Sequence, residues 1–225
     1  MKFCRLFLIL LLVSACGEAP QKEENNNTEE QSQTQEAKAP RSVSDILSLN
    51  ESDIAEGDEN APVTIIEYSS FTCPHCSYYH RKTYPDIKKN YIDTGKVLYI
   101  MREFSTNKRD YAASILARCA GERRNIFANV IFARHNNWAY DRNYQSILTN
   151  IGILGGVGAE EYAKCMADKN LGKPILQNTK DAAYKLGLAA TPVFFINGKE
   201  FKSSASYEIM SKEIDKIIKT KAEAK

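Results

Sequence analysis

Hydrophobic residues recur along this chain at two periods, and the switches between them outline its elements. Val63-Thr64-Ile65-Ile66-Glu67-Tyr68 is a compact, β-branched run, which predicts a buried strand. Residues 77–91 carry helix formers and no glycine, with Tyr84-Pro85 as the one irregularity. After the turn Asp93-Thr94-Gly95, residues 96–104 read as a second strand, with Val97, Tyr99 and Met101 on one face. The spacing then becomes helical. Tyr111, Ile115, Leu116 and Cys119 share one face, as do Tyr162, Cys165 and Met166. Ile175, Thr179, Ala182 and Leu186 make another, entered through Lys173-Pro174 and closed by Gly187. Residues 127–138 and 144–151 are more helix-like than strand-like, and His135 is expected at the surface. Strand character returns over 192–196. Asn197-Gly198 is a two-residue hairpin signal, 199–202 the short return strand, and 205–219 a final amphipathic helix. Residues 42–60 show no clear period and are expected as a mixed lead-in closing on the turn Gly57-Asp58-Glu59-Asn60.

The order is therefore βαβ, a long block of helices, then ββα. A βαβ unit and a ββ hairpin sharing one sheet, with helices between them, predict an α/β fold with an inserted helical domain. The expected divisions are 41–104 for the first part of the sheet domain, 105–188 for the insertion and 189–225 for the second part.

Residues 1–15 do not belong to that fold. Lys2 and Arg5 precede an unbroken apolar stretch from Leu6 to Val13, then the small Ser14 and Ala15, the order of regions in a signal peptide. The stretch falls well short of the roughly 20 residues that cross a bilayer. Val13-Ser14-Ala15-Cys16 resembles a bacterial lipobox, which implies lipidation at Cys16 and attachment to membrane lipid; a plain cleaved signal and an uncleaved anchor are the alternatives. Each reading exports the protein to the periplasm or cell envelope, where disulfides persist. Residues 16–40 hold six glutamates and two lysines with no aromatic residue, too little apolar surface to offset ordering entropy, and are expected as a flexible tether. The formal net charge of the whole chain is only +2, so nothing calls for a nucleic-acid partner.

Chemistry concentrates at Cys73-Pro74-His75-Cys76. A C-x-x-C that follows a strand and opens a helix has the layout of a thiol–disulfide redox centre. Pro74 falls at the first helical position, where its missing N–H costs nothing. Cys73 falls at the N-cap, facing the free N–H groups and positive end of the helix dipole, where a thiolate is stabilised. The same residues with His80 also have zinc-ligand spacing, though a closed site needs a fourth ligand. Cys119 and Cys165 sit on apolar helical faces and are either a structural disulfide or two buried thiols.

Phe71-Thr72-Cys73-Pro74-His75-Cys76, Thr191-Pro192-Val193-Phe194-Phe195-Ile196-Asn197-Gly198-Lys199 and the insertion together resemble the DsbA-like thiol:disulfide oxidoreductases, over about residues 55–220. The resemblance implies a thioredoxin-like fold, with Cys73 as the exposed nucleophile and Cys76 as its buried partner. His75 would add to the stabilisation of the Cys73 thiolate, which favours disulfide donation. Pro192 then matches the family's cis-proline, with Thr191 pairing to an extended substrate, although an ordinary strand-entry proline is also compatible. Glu67 matches the family's buried acid that relays protons to the inner cysteine; a hydrated strand-end carboxylate is the alternative. The implied substrates are reduced exported proteins. The implied regenerating partner is a quinone-linked membrane oxidase of the DsbB type. No metal and no cofactor beyond the Cys73–Cys76 pair is implied, and a monomer is expected. A periplasmic reductase or isomerase, and a tethered binding module with structural or zinc-binding cysteines, are the competing readings.

Overall fold

The computed structural model describes residues 41–224. The expected signal segment, Cys16 and the tether lie outside the described residues. In chain order the elements are α1 (Val43–Ile46), β1 (Ile54–Glu56), β2 (Val63–Ser69), α2 (Pro74–Lys82), α3 (Tyr84–Ile87), a wider π-helical turn (Lys88–Ile92) and β3 (Val97–Glu103). The helical block comprises α4 (Lys108–Cys119), α5 (Arg124–Ala133), α6 (His135–Trp138), α7 (Tyr144–Leu154), α8 (Ala159–Ala167) and α9 (Lys169–Tyr184). The chain closes with β4 (Val193–Ile196), β5 (Lys199–Phe201) and α10 (Tyr207–Glu223).

The five strands form one sheet in the order β1-β3-β2-β4-β5. β2 and β3 run parallel, from Val63↔Val97 to Ser69↔Glu103, and every other pairing is antiparallel. Every residue of β3, and all but Thr64 of β2, is buried, because helices cover both faces. Val63, Ile65, Val97, Tyr99 and Met101 face a core shared with α2, α10 and the helical block. Ile66, Tyr68, Leu98, Ile100 and Phe195 face Ala182 of α9 and Leu186 just beyond it. The βαβ–helices–ββα order, with the thioredoxin-like sheet and helical insertion it implies, is the observed architecture. The Asn197-Gly198 turn has positive φ at both residues, 48° and 77°, as a tight hairpin requires.

Three segments depart from the sequence reading. The mixed lead-in holds two elements that this reading does not place there: α1 is capped by Ser42, and β1 pairs antiparallel with β3, Ile54 opposite Met101. Both are too short to show a period. The helix expected over 77–91 breaks at Thr83, since Pro85 has no N–H to return to the preceding turn. Lys173-Pro174 does not begin a helix; α9 starts earlier, where Asp168 accepts from the Asn170 N–H, and Pro174 sits in its second turn at the cost of one backbone bond.

Two buried ion pairs tie the pieces together. Arg102 in β3 donates to both oxygens of Asp53, at 2.7 and 2.6 Å, and to the carbonyls of Ser48 and Ile46, so the lead-in is held against the sheet. Arg118 in α4 donates to both oxygens of Glu103 at the end of β3, at 2.6 and 2.8 Å, fastening the helical block. Cys119 and Cys165 are joined by a disulfide between α4 and α8, with Cα atoms 5.8 Å apart. Removing one partner of a buried ion pair leaves the other charge uncompensated. Arg102→Met is therefore expected to lower unfolding stability by about 3–5 kcal/mol, measured by urea titration; a loss below about 1 kcal/mol would mean the lead-in is held by packing alone.

Candidate active site

β2 ends at Ser69, and the turn through Phe71 and Thr72 delivers Cys73 to the N-cap of α2. The Cys76 N–H points at the Cys73 sulfur, 3.5 Å away, and Pro74 occupies the first turn without wasting a donor. Cys73 is half-buried, while Cys76, one turn inside, is completely buried. The Thr191–Pro192 peptide bond is cis, and the Thr191 carbonyl lies 3.3 Å from the Cys73 sulfur. A groove of about 240 Å3 runs beside Cys73, lined among others by Thr72, Phe104, Ala190 and Thr191.

The two thiols are driven in opposite directions. A hydrogen bond from the Cys76 thiol, outweighing partial burial, holds Cys73 down from its ordinary 9.0 to about 5, with the Thr191 side chain and the N–H groups of Cys76 and His75 adding to it. Burial pushes the Cys76 thiol well up, reinforced by the Cys73 sulfur and the Glu67 carboxylate. His75 acts on the sulfur through its backbone N–H, and its residue is exposed to solvent.

Glu67 is not a hydrated strand-end carboxylate: it is completely buried on the face of β2 that packs on α2. Its Oε2 accepts from the Tyr99 hydroxyl and lies 2.8 Å from His80 Nε2, while Oε1 has no partner. His80 spends its other ring nitrogen on Asn129, 3.3 Å away, so both nitrogens with zinc-ligand spacing are engaged elsewhere. Among the described residues no cluster of three His, Cys, Asp or Glu side chains is disposed to hold a metal.

The sequence reading missed a second set of contacts. His135 is buried rather than at the surface, and its Nε2 lies 3.1 Å from the Thr72 carbonyl. Its neighbours Arg134, Asn136 and Asn137 read as a polar surface, but Trp138 turns the segment inward. Asn107 donates from its amide to the Thr72 hydroxyl, 3.0 Å away. Asp110, also buried, accepts the Phe71 N–H at 2.7 Å, and burial pushes its carboxyl up to about 7. The spacing of Asn107 and Asp110, cap and third helical residue, was the available signal. The helical block thus holds both residues preceding Cys73.

A family model described as Thioredoxin matches residues 49–216. A Rickettsia felis protein carrying the name protein-disulfide oxidoreductase is 38% identical over 206 residues, 89% of this chain and 74% of its own length. The chain belongs to the DsbA-like thiol:disulfide oxidoreductases. Wolbachia pipientis alpha-DsbA1 superposes with a TM-score of 0.75 at 32% identity, covering 82% of this chain and 100% of its own. BdbD of Bacillus subtilis shares the fold, with a TM-score of 0.66 at 21% identity over 75% of this chain and 94% of its own.

For a DsbA-like enzyme the low Cys73 value has a consequence for the stability of the dithiol form. A depressed folded-state value stabilises the fold above the unfolded value of 9.0, and that gain fades as pH falls and is gone below about 5. Thermal unfolding of the dithiol form should therefore lose its advantage over Cys73→Ser as pH drops through this window; parallel curves would overturn a stabilised thiolate. Asp110 carries the opposite sign, because its folded value lies above the ordinary 3.8. It costs stability as pH rises through about 7, so Asp110→Asn should stabilise the protein at pH 8 by on the order of 1 kcal/mol or more, and leave it unchanged at pH 4.

Proposed function

We propose that this thiol:disulfide oxidoreductase donates disulfides to reduced exported proteins through Cys73 and Cys76. The observation that carries the reading is the opposed pair of thiols: a stabilised, accessible Cys73 above a buried Cys76 whose thiol form is favoured. In the oxidised enzyme a substrate thiolate attacks the Cys73 sulfur, the S–S bond breaks, and Cys76 leaves with the electron pair. A second substrate thiolate then displaces Cys73 from the mixed disulfide. Two electrons pass from the substrate dithiol to the enzyme, and the second displacement is fast because the Cys73 thiolate is a good leaving group. Glu67 supplies the proton that Cys76 takes up on leaving. Thr191 borders the groove beside Cys73 and, with the cis-Pro192 that follows it, offers the edge against which an extended substrate pairs.

Export is supported by the apolar leader, and membrane attachment by Cys16 in its lipobox-like context. A quinone-linked membrane oxidase of the DsbB type would restore the disulfide. The competing direction, reduction or isomerisation, is weakened by the low Cys73 value, since stabilising the reduced state makes the disulfide a stronger oxidant.

Equilibration of the Cys73–Cys76 pair against glutathione tests the direction. A potential well above the roughly −270 mV of thioredoxin is expected, together with loss of thiol oxidation in Cys73→Ser. A potential at or below that value would make the protein a reductase, and intact turnover in Cys73→Ser would remove Cys73 from the chemistry.

A further inference from the structure

The buried end of the redox centre has an outlet on the far side of α2. His80, with its side chain only 3% exposed, stands between Glu67 and a narrow cleft of about 10 Å3 lined by Glu56, Tyr84, Tyr99, Asn125 and Asn129. That volume accommodates one water, which needs polar partners, and Asn125 Oδ1 is a buried acceptor with none in the protein. Nε2 of His80 faces Glu67 and Nδ1 faces Asn129, so the imidazole bridges the acid and the cleft. Asn129 can meet Nδ1 with either end of its amide.

The other titratable groups around the ring are poorly suited to moving a proton near neutral pH. Burial holds Tyr79 on the same helix, Tyr84 on α3 and Tyr99 on β3 well above the ordinary tyrosine range. Glu56 of β1, at the cleft, is engaged by the Tyr84 hydroxyl and by Lys88. The facing residue on α5, Phe132, stacks on the imidazole with centroids 4.0 Å apart and offers no proton. An imidazole has a donor and an acceptor on opposite sides, which a relay needs.

We propose that His80 is a positioning residue that passes protons between this cleft and Glu67 in each half of the redox cycle. The inference rests on the reading of Glu67 as proton donor to Cys76. As Cys76 leaves, Glu67 gives the proton on Oε1 to the sulfur and becomes the carboxylate that disfavours a Cys76 thiolate. The Nε2 proton then moves to Oε2, and Nδ1 takes a proton carried in from bulk solvent through water in the cleft. The electron pair stays within the disulfide exchange, which oxidises the substrate dithiol and reduces Cys73–Cys76. One proton enters along the path. Reoxidation runs the three transfers backwards and restores the starting tautomer, so the ring never has to rotate against Phe132.

The test is the rate at which dithiothreitol reduces the oxidised enzyme, followed across pH in the full chain with Glu67→Gln in parallel. His80→Gln keeps a hydrogen-bonding amide that cannot relay, and should slow the step at least about tenfold at pH 7 with an altered pH profile and an unchanged reduction potential. Imidazole in the buffer should restore most of the rate in His80→Ala; a purely structural role would shift the potential and show no such rescue. A native rate and profile in His80→Gln beside a slow Glu67→Gln overturns the role of His80 and leaves Glu67 standing. A native rate in Glu67→Gln overturns both. Should neither His80 variant fold, Asn129→Leu, which seals the outer side of the ring, decides the matter: slowing supports the path and a native rate overturns it.

Discussion

The Cys73 sulfur at the mouth of α2 is the contact on which the rest of the structure depends. A charge placed there is held by backbone N–H groups that would otherwise lack partners and by a thiol one turn inside. This requires a strand ending where a helix begins, with little slack between. The parallel β2–β3 pair supplies it, because a sheet buried on both faces fixes where β2 stops. Pro74 begins the helix without spending a donor, and the cis-Pro192 segment brings the Thr191 carbonyl against the same sulfur from β4. Sheet, helix and loop converge on one atom.

The helical block takes part in that convergence. Asp110 holds the Phe71 N–H, Asn107 the Thr72 hydroxyl and His135 the Thr72 carbonyl, so the two residues ahead of Cys73 are gripped from outside the sheet. Arg118 and Glu103 join the block to the end of β3. The groove beside Cys73 lies between Phe104 and Thr106, which lead into the block, and Ala190 and Thr191, which lead out. The insertion therefore shapes both the approach to the sulfur and its support.

The placement of Cys73 and Cys76 at a helix start, the strands flanking them and the order of strands and helices were legible because each rests on local rules. Proline at a helix start, a β-branched run and an Asn-Gly turn each constrain the backbone within a few residues. The break at Pro85 and the early start of α9 are local, but β1, His135 and the contacts of Glu67 depended on distant partners. β1 is a strand only because β3 needs an antiparallel neighbour, and three residues carry no period. His135 lies among polar neighbours and is buried by a contact with Thr72, 63 positions away in the chain. Glu67 could be aligned with a family acid from its sequence position, but its pairing with His80 and Tyr99 required α2 and β3 to be in place.

The four cysteines among the described residues pair, or are proposed to pair, in the order in which they are synthesised: Cys73 with Cys76, then Cys119 with Cys165. Four cysteines allow about three pairings, and only this one joins each cysteine to the next to emerge. A chain threaded through a membrane from its N-terminus would meet each native partner before any wrong one. Sequential oxidation would then suffice, and a proofreading isomerase would have nothing to correct. A protein read as a source of disulfides thus has a cross-link pattern that direct, vectorial oxidation reaches without error.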